Sequence, residues 1–103
     1  MSNAIFYLKQ NDTKPSLSAN LTQDGSVVDL TGASVKFHMG SIVDADAVIA
    51  SAVTGSVRYD WDAADTEEAG RYPAEFQVTF SDEGIETFPN KDTLTIVIKP
   101  ELA

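Results

Sequence analysis

Apolar and polar residues alternate with a period of two through most of this chain, and the longest such run is Arg71 to Phe80. Tyr72, Ala74, Phe76, Val78 and Phe80 fall on one side; Arg71, Pro73, Glu75, Gln77 and Thr79 fall on the other. Alternation of this length describes a strand with one buried face. Burying its five apolar side chains contributes on the order of 10 kcal/mol as an upper estimate. A one-residue slip would expose all of them. The strand is therefore expected to be central and to set the register of its neighbours.

Shorter segments repeat the pattern. Ile5 to Lys9 is β-prone and predicts a first strand, closed by the turn residues of Asn11 to Ser16. Leu17, Ala19 and Leu21 alternate with polar neighbours and predict a second. Asp24-Gly25 tolerates positive φ at both positions and predicts a tight hairpin, with Val27 to Leu30 as its return strand and Thr31-Gly32 as a break. Val35, Phe37 and Met39 mark a strand ending at Gly40. Ser41 to Thr54 is the least legible segment, because alanine and valine pull toward different structures; a strand over Ala47 to Val53 continues the hairpin layout best. Val57, Tyr59 and Trp61 alternate cleanly, and Asp62 to Ala69 reads as a loop with one helical turn. After the long strand and a loop at Ser81 to Gly84, Ile85 to Phe88 pairs back, Pro89-Asn90 interrupts, and Thr93 to Ile98 closes the fold before Pro100. About eight short strands at roughly 8–12-residue spacing predict an all-β antiparallel sandwich, and 103 residues predict one domain, 1–103, with a core that needs no staples.

Composition narrows the partners. With 16 acids against 7 bases the net charge is −9, which disfavours nucleic acid and leaves no polybasic patch for an anionic membrane; its simplest consequence is solubility. There is no cysteine, hence no disulfide or thiolate chemistry, in keeping with assembly in the cytosol. No apolar run reaches the roughly 20 residues of a membrane helix, and the start, MSNAIFYLK, lacks the pattern of a signal peptide. Ser2-Asn3-Ala4 reads equally well as native chain or as a cloning remnant.

Candidate chemistry is sparse. Asp60, Asp62 and Asp65, followed by Glu67 and Glu68, make a loose likeness of a calcium loop, but the third acid comes one residue late and the glycine of D-x-D-x-D-G is missing. Capping explains them better, with Asp62 as N-cap and Asp65 in the first turn. His38 is the only histidine and falls on the polar face opposite Val35, Phe37 and Met39. A hydrolase built on His38 and the acid loop would need the two within side-chain reach, and no G-x-S-x-G elbow, P-loop or G-x-G-x-x-G is present. One histidine without cysteine makes zinc improbable. Trp61 could stack on a sugar, but it shares a face with Val57 and Tyr59 and is expected in the core. No catalytic, cofactor-binding or metal-ligating residue is assigned, and no cofactor is implied.

Glu68-x-Gly70-x-Tyr72 has the spacing of a tyrosine corner, in which a phenol hydroxyl bonds upstream backbone and fixes the crossover between sheets. Ala74 stands where an antibody-type domain places its cysteine. The segments Asp12-Thr13-Lys14-Pro15, Val28 to Ala33, Tyr59-Asp60-Trp61 with Asp65-Thr66, Gly70 to Phe76, and Glu86 to Asn90 together resemble the immunoglobulin-like N-terminal domain of phage baseplate upper proteins. The resemblance covers almost the whole chain. It implies a non-enzymatic structural module of a phage or prophage virion, located in the tail, assembled in the bacterial cytoplasm, contacting other tail or baseplate proteins, and forming homo-oligomers in the particle. The chain departs from the larger proteins of that family in ending at Ala103 with no linker or coiled coil, which fits either a piece of a longer protein or a free-standing one. The competing reading is a carbohydrate-binding or adhesin-like module using Tyr7, Tyr59 or Trp61, and it requires those rings to be exposed.

Overall fold

The computed structural model describes residues 4–90 and 93–102; of the expectations above, the one for Ser2-Asn3 lies outside them. Eleven strands form among the described residues: β1 Ala4–Lys9, β2 Leu17–Asn20, β3 Thr22–Gln23, β4 Ser26–Val27, β5 Ser34–Met39, β6 Val43–Asp46, β7 Val48–Ser51, β8 Ser56–Tyr59, β9 Gly70–Thr79, β10 Ile85–Phe88 and β11 Leu94–Lys99. A short 3-10 turn, Ala63–Thr66, lies between β8 and β9. The larger sheet has the order β1-β11-β9-β5-β6, with β10 also on β9; the smaller has the order β2-β8-β7, and β3 pairs with β4.

The Gly70–Thr79 strand is central, as its pattern predicts. Its first half pairs with β11 (Ile98↔Gly70 to Leu94↔Ala74), its second half pairs with β10 (Phe88↔Phe76 to Ile85↔Thr79), and its other edge holds β5. Ala74, Phe76 and Val78 are at most 9 % exposed, while Arg71, Pro73 and Glu75 face solvent. Phe37 on β5 sits opposite Phe76 and gathers the aromatic centre of the core. Its ring lies 4.6 Å from Tyr59, 5.1 Å from Phe76 and 5.7 Å from Trp61, centroid to centroid. Leu17 and Val57 contribute from the smaller sheet, so the core is the filling between two sheets.

Three expectations are corrected in detail. Among the described residues eleven strands form rather than about eight: Thr22–Gln23 is a strand of its own, and Ser41 to Thr54 holds two, with Val43 inward at the edge of the larger sheet and the chain changing sheets at Ala47 to become β7. Only Ser26–Val27 of the return strand after Asp24-Gly25 is a strand; beyond it Val28 and Leu30 bond Leu21 and Ala52 singly, not as a ladder. The sandwich is also not wholly antiparallel, since β1 runs parallel to β11. Strands so far apart in sequence are joined by no hairpin that would force them antiparallel. The Asp24-Gly25 hairpin itself forms, with φ of 51° and 84°.

Candidate functional site

The acid-rich segment before β9 is a structural joint. Asp65 Oδ2 accepts the Asp62 N–H at 2.9 Å and the Tyr59 hydroxyl at 2.6 Å. The cap bond thus runs from Asp65 back to Asp62, the acid in the first turn securing the residue in front of it. Thr66 is fully buried; its hydroxyl donates to the Asp12 carbonyl at 3.0 Å, and its own carbonyl accepts the Asn11 N–H at 2.9 Å. Asp60 points elsewhere. It accepts a two-pronged bond from Arg58, 2.8 Å from Nε and 3.2 Å from Nη2, and one from Ser16 Oγ at 2.6 Å. Those bonds, Arg58 first, hold its carboxyl below the usual range. Asp60 and Asp65 therefore serve different partners, and no group of three His, Cys, Asp or Glu side chains among the described residues is placed to hold a metal ion.

Burial, and then the hydrogen bond that the Tyr59 hydroxyl donates to the Asp65 carboxylate, push the Tyr59 phenol well above its ordinary value. Since the folded state holds this proton more tightly than the unfolded chain, its contribution is complete below the unfolded pKa of about 10 and is lost as pH rises beyond it. Thermal unfolding followed between pH 8 and about 11 should show stability falling above pH ~10, with a shallower fall in Tyr59→Phe. An identical alkaline limb in the variant would show that Tyr59 is not its source.

Tyr72 closes the joint as a tyrosine corner. Its hydroxyl donates to the Glu68 carbonyl at 2.9 Å, with the Ala69 carbonyl at 3.4 Å. The ring packs over Gly70, where a Cβ would come within 3.1 Å of the Tyr72 oxygen. The acid in the motif thus supplies backbone, not its carboxylate. Tyr72→Phe should cost about 1 kcal/mol in chemical denaturation, while Glu68→Ala should stay within about 0.5 kcal/mol of the parent; the reverse order would place the bond on the side chain.

His38 lies on the outer face of the larger sheet, as its position opposite Phe37 predicts. Its Nε2 is 3.2 Å from Asp44 Oδ1 and its Nδ1 is 3.4 Å from Glu75 Oε2. Asp60 follows the inward-facing Tyr59 and bonds the outward Arg58, so it belongs to the outer face of the smaller sheet. The carboxylates beside the histidine are thus Asp44 and Glu75 rather than those of the acid loop, and the hydrolase constellation does not assemble. Trp61 and Tyr59 are only 6 % and 5 % exposed, so two of the three rings required by the carbohydrate reading are core. Tyr7 remains 56 % exposed, with Lys99 Nζ 5.7 Å from its ring centre.

Two of the concavities lined by described residues bear on these readings. One, of about 180 Å³, opens between the sheets near Ala19, Leu21, Phe88, Pro89 and Leu94 and is mostly apolar in lining. The other, of about 210 Å³, is a depression in the outer face of the larger sheet bounded by His38, Gly40, Pro73, Ala74 and Glu75.

The motif residues Asp12, Tyr59, Asp65, Thr66, Gly70 and Tyr72 therefore meet in one hydrogen-bonded joint at one end of the sandwich. A family model, the BppU N-terminal domain, matches residues 1–99. The chain belongs to that family. The role of a BppU N-terminal domain is structural, in the phage baseplate, and the match agrees with the resemblance carried by those residues. No characterised protein matches this BppU N-terminal domain by sequence. Among solved structures, the crystal structure of CopC from Methylosinus trichosporium OB3b is similar with a TM-score of 0.56 and 14 % identity, covering 98 % of this chain and 89 % of that one. At that identity the likeness concerns the β-fold alone. Sequence reasoning named Thr66 only within the resemblance and overlooked its burial, of which its neighbours in a polar loop gave no sign. It also overlooked Val97, which points outward from β11 yet is only 9 % exposed, beside Tyr7 and Arg71 in register.

Proposed function

We propose that this BppU N-terminal domain is a single, non-catalytic module that makes protein–protein contacts in the tail or baseplate of a phage or prophage virion. The observation that carries the reading is the family match over residues 1–99, joined to the fate of the motif residues: the side chains of Tyr59, Asp65, Thr66 and Tyr72 are spent on holding the sandwich together. What such a scaffold offers to others is its surface. Its partners are other tail or baseplate proteins rather than nucleic acid or membrane, in keeping with a net charge of −9, and it reaches the virion after assembly in the bacterial cytoplasm. Purified particles of the encoding phage, or of the induced prophage, test this by quantitative mass spectrometry and cross-linking. The chain should co-purify with tails at a fixed ratio to tail proteins and cross-link to them. Its absence from particles, or cross-links confined to nucleic acid or membrane fractions, would overturn the reading.

A further inference from the structure

The outer face of the larger sheet is electrostatically divided. At the β1–β11 side, Lys9, Lys99 and Arg71 surround Tyr7 and the covered Val97; among the described residues none of the three bases makes an ion pair, whereas Lys36 and Arg58 do. At the β5–β6 side the depression beside His38 is flanked by Asp44 and Glu75, whose side chains are 74 % and 48 % exposed. Lys36 also lies on that side but is matched by Asp46, 3.7 Å away. Glu101 lies near the basic side, where it accepts from Asn11. Exposed apolar surface accompanies the charge: Ile5 is 46 % and Tyr7 56 % exposed on the same face.

We infer that this face pairs with the same face of a second copy, the basic, aromatic half of each lying over the acidic depression of the other. A two-fold axis in the plane of contact, running diagonally to the strands, exchanges the two halves, so each match occurs twice, as an isologous interface demands. Charge complementarity favours this occupant: a chain with net charge −9 concentrates three of its bases and a cleft of acid on one surface. The face is about 20 Å across in each direction, from five strands about 4.8 Å apart. The pair would then bury about 800 Å², below the roughly 1,200–2,000 Å² of stable specific complexes. Association is accordingly weak, with a dissociation constant on the order of 0.1–1 mM, and becomes effective where copies are held close together.

The chain itself is the probe, so the test does not depend on virion membership and can fail while the proposed function stands. Amide spectra of the ¹⁵N-labelled chain, from about 20 µM to about 2 mM, bracket that constant. Signals from β1, β11, β9 and β5 should shift with concentration, and the shifts should shrink at about 0.5 M salt, where screening is short-ranged. Lys9→Glu with Lys99→Glu should weaken association about tenfold or more, as should Asp44→Lys with Glu75→Lys; all four positions are exposed, so the fold is retained. Mixing labelled acidic variant with unlabelled basic variant should restore the shifts, because both matches are then attractive. Absence of concentration dependence in the parent, shifts confined to the smaller sheet, or no restoration on mixing would each overturn the inference.

Discussion

Replacing Gly55 by alanine should cost about 3 kcal/mol or more, combining left-handed backbone strain with a steric clash. Gly55 has φ of +69°, and an added Cβ would lie 2.7 Å from the Leu21 carbonyl oxygen and 2.8 Å from that of Val28. Both neighbours are backbone, and both are fixed: the Leu21 N–H donates to the Gly55 carbonyl at 2.8 Å, and the Val28 N–H to the Leu21 carbonyl at 3.0 Å. No side-chain rotation can relieve the contact, so the chain after β2 and the segment after β4 must move apart. In a domain stable by about 5–15 kcal/mol, the melting temperature should fall by roughly 12–24 °C. Gly55→Asn separates the two causes. Asparagine tolerates the left-handed region better than alanine but carries the same Cβ, so it should be nearly as destabilising. Recovery of most of the stability in Gly55→Asn would mean that backbone strain alone, not the carbonyl contact, governs this position.

Phe37→Ala should cost about 3–5 kcal/mol by transfer and cavity terms. Phe37 has no exposed surface, and its ring touches aromatic partners from both sheets: Phe76 across the β5–β9 ladder, and Tyr59 and Trp61 from the opposite layer. The void would open between rigid rings that cannot collapse far into it. Phe37→Leu, which retains much of the volume, should recover at least about half of the loss. Denaturant unfolding followed by Trp61 fluorescence reads both variants, since Trp61 meets the Phe37 ring edge-on at 89°. A loss below about 1 kcal/mol for Phe37→Ala would show that the sheets close over the gap and that Phe37 is not the centre of the core.

Most strands were legible because each keeps one face in the core. The Arg71 to Phe80 alternation, the Val35-Phe37-Met39 run and the Val57-Tyr59 pair each reported which side faces inward, and the structure places those sides at the core. Ser41 to Thr54 was not legible for the same reason in reverse. Its strands lie at sheet edges, where Ala45, Ala47 and Ile49 are only partly covered, so weak burial demands only a weak pattern. The Glu68-x-Gly70-x-Tyr72 spacing announced the corner because its bond closes over four residues. The joint around it stayed hidden, since Thr66 reaches Asp12 across 54 positions of sequence.

The sequence by itself determined which residues face inward, where the chain turns, and the phage-baseplate resemblance that the family match upheld, because alternation, turn residues and short spacings are properties of neighbours along the chain. Only the tertiary structure decided that β1 runs parallel to β11, that Ala47 marks a change of sheet, that Asp65 accepts from Tyr59, and that Gly55 must lack a side chain. Each of those depends on which distant backbone or side chain arrives at a given place, and a period of two specifies a face without specifying the partner that covers it.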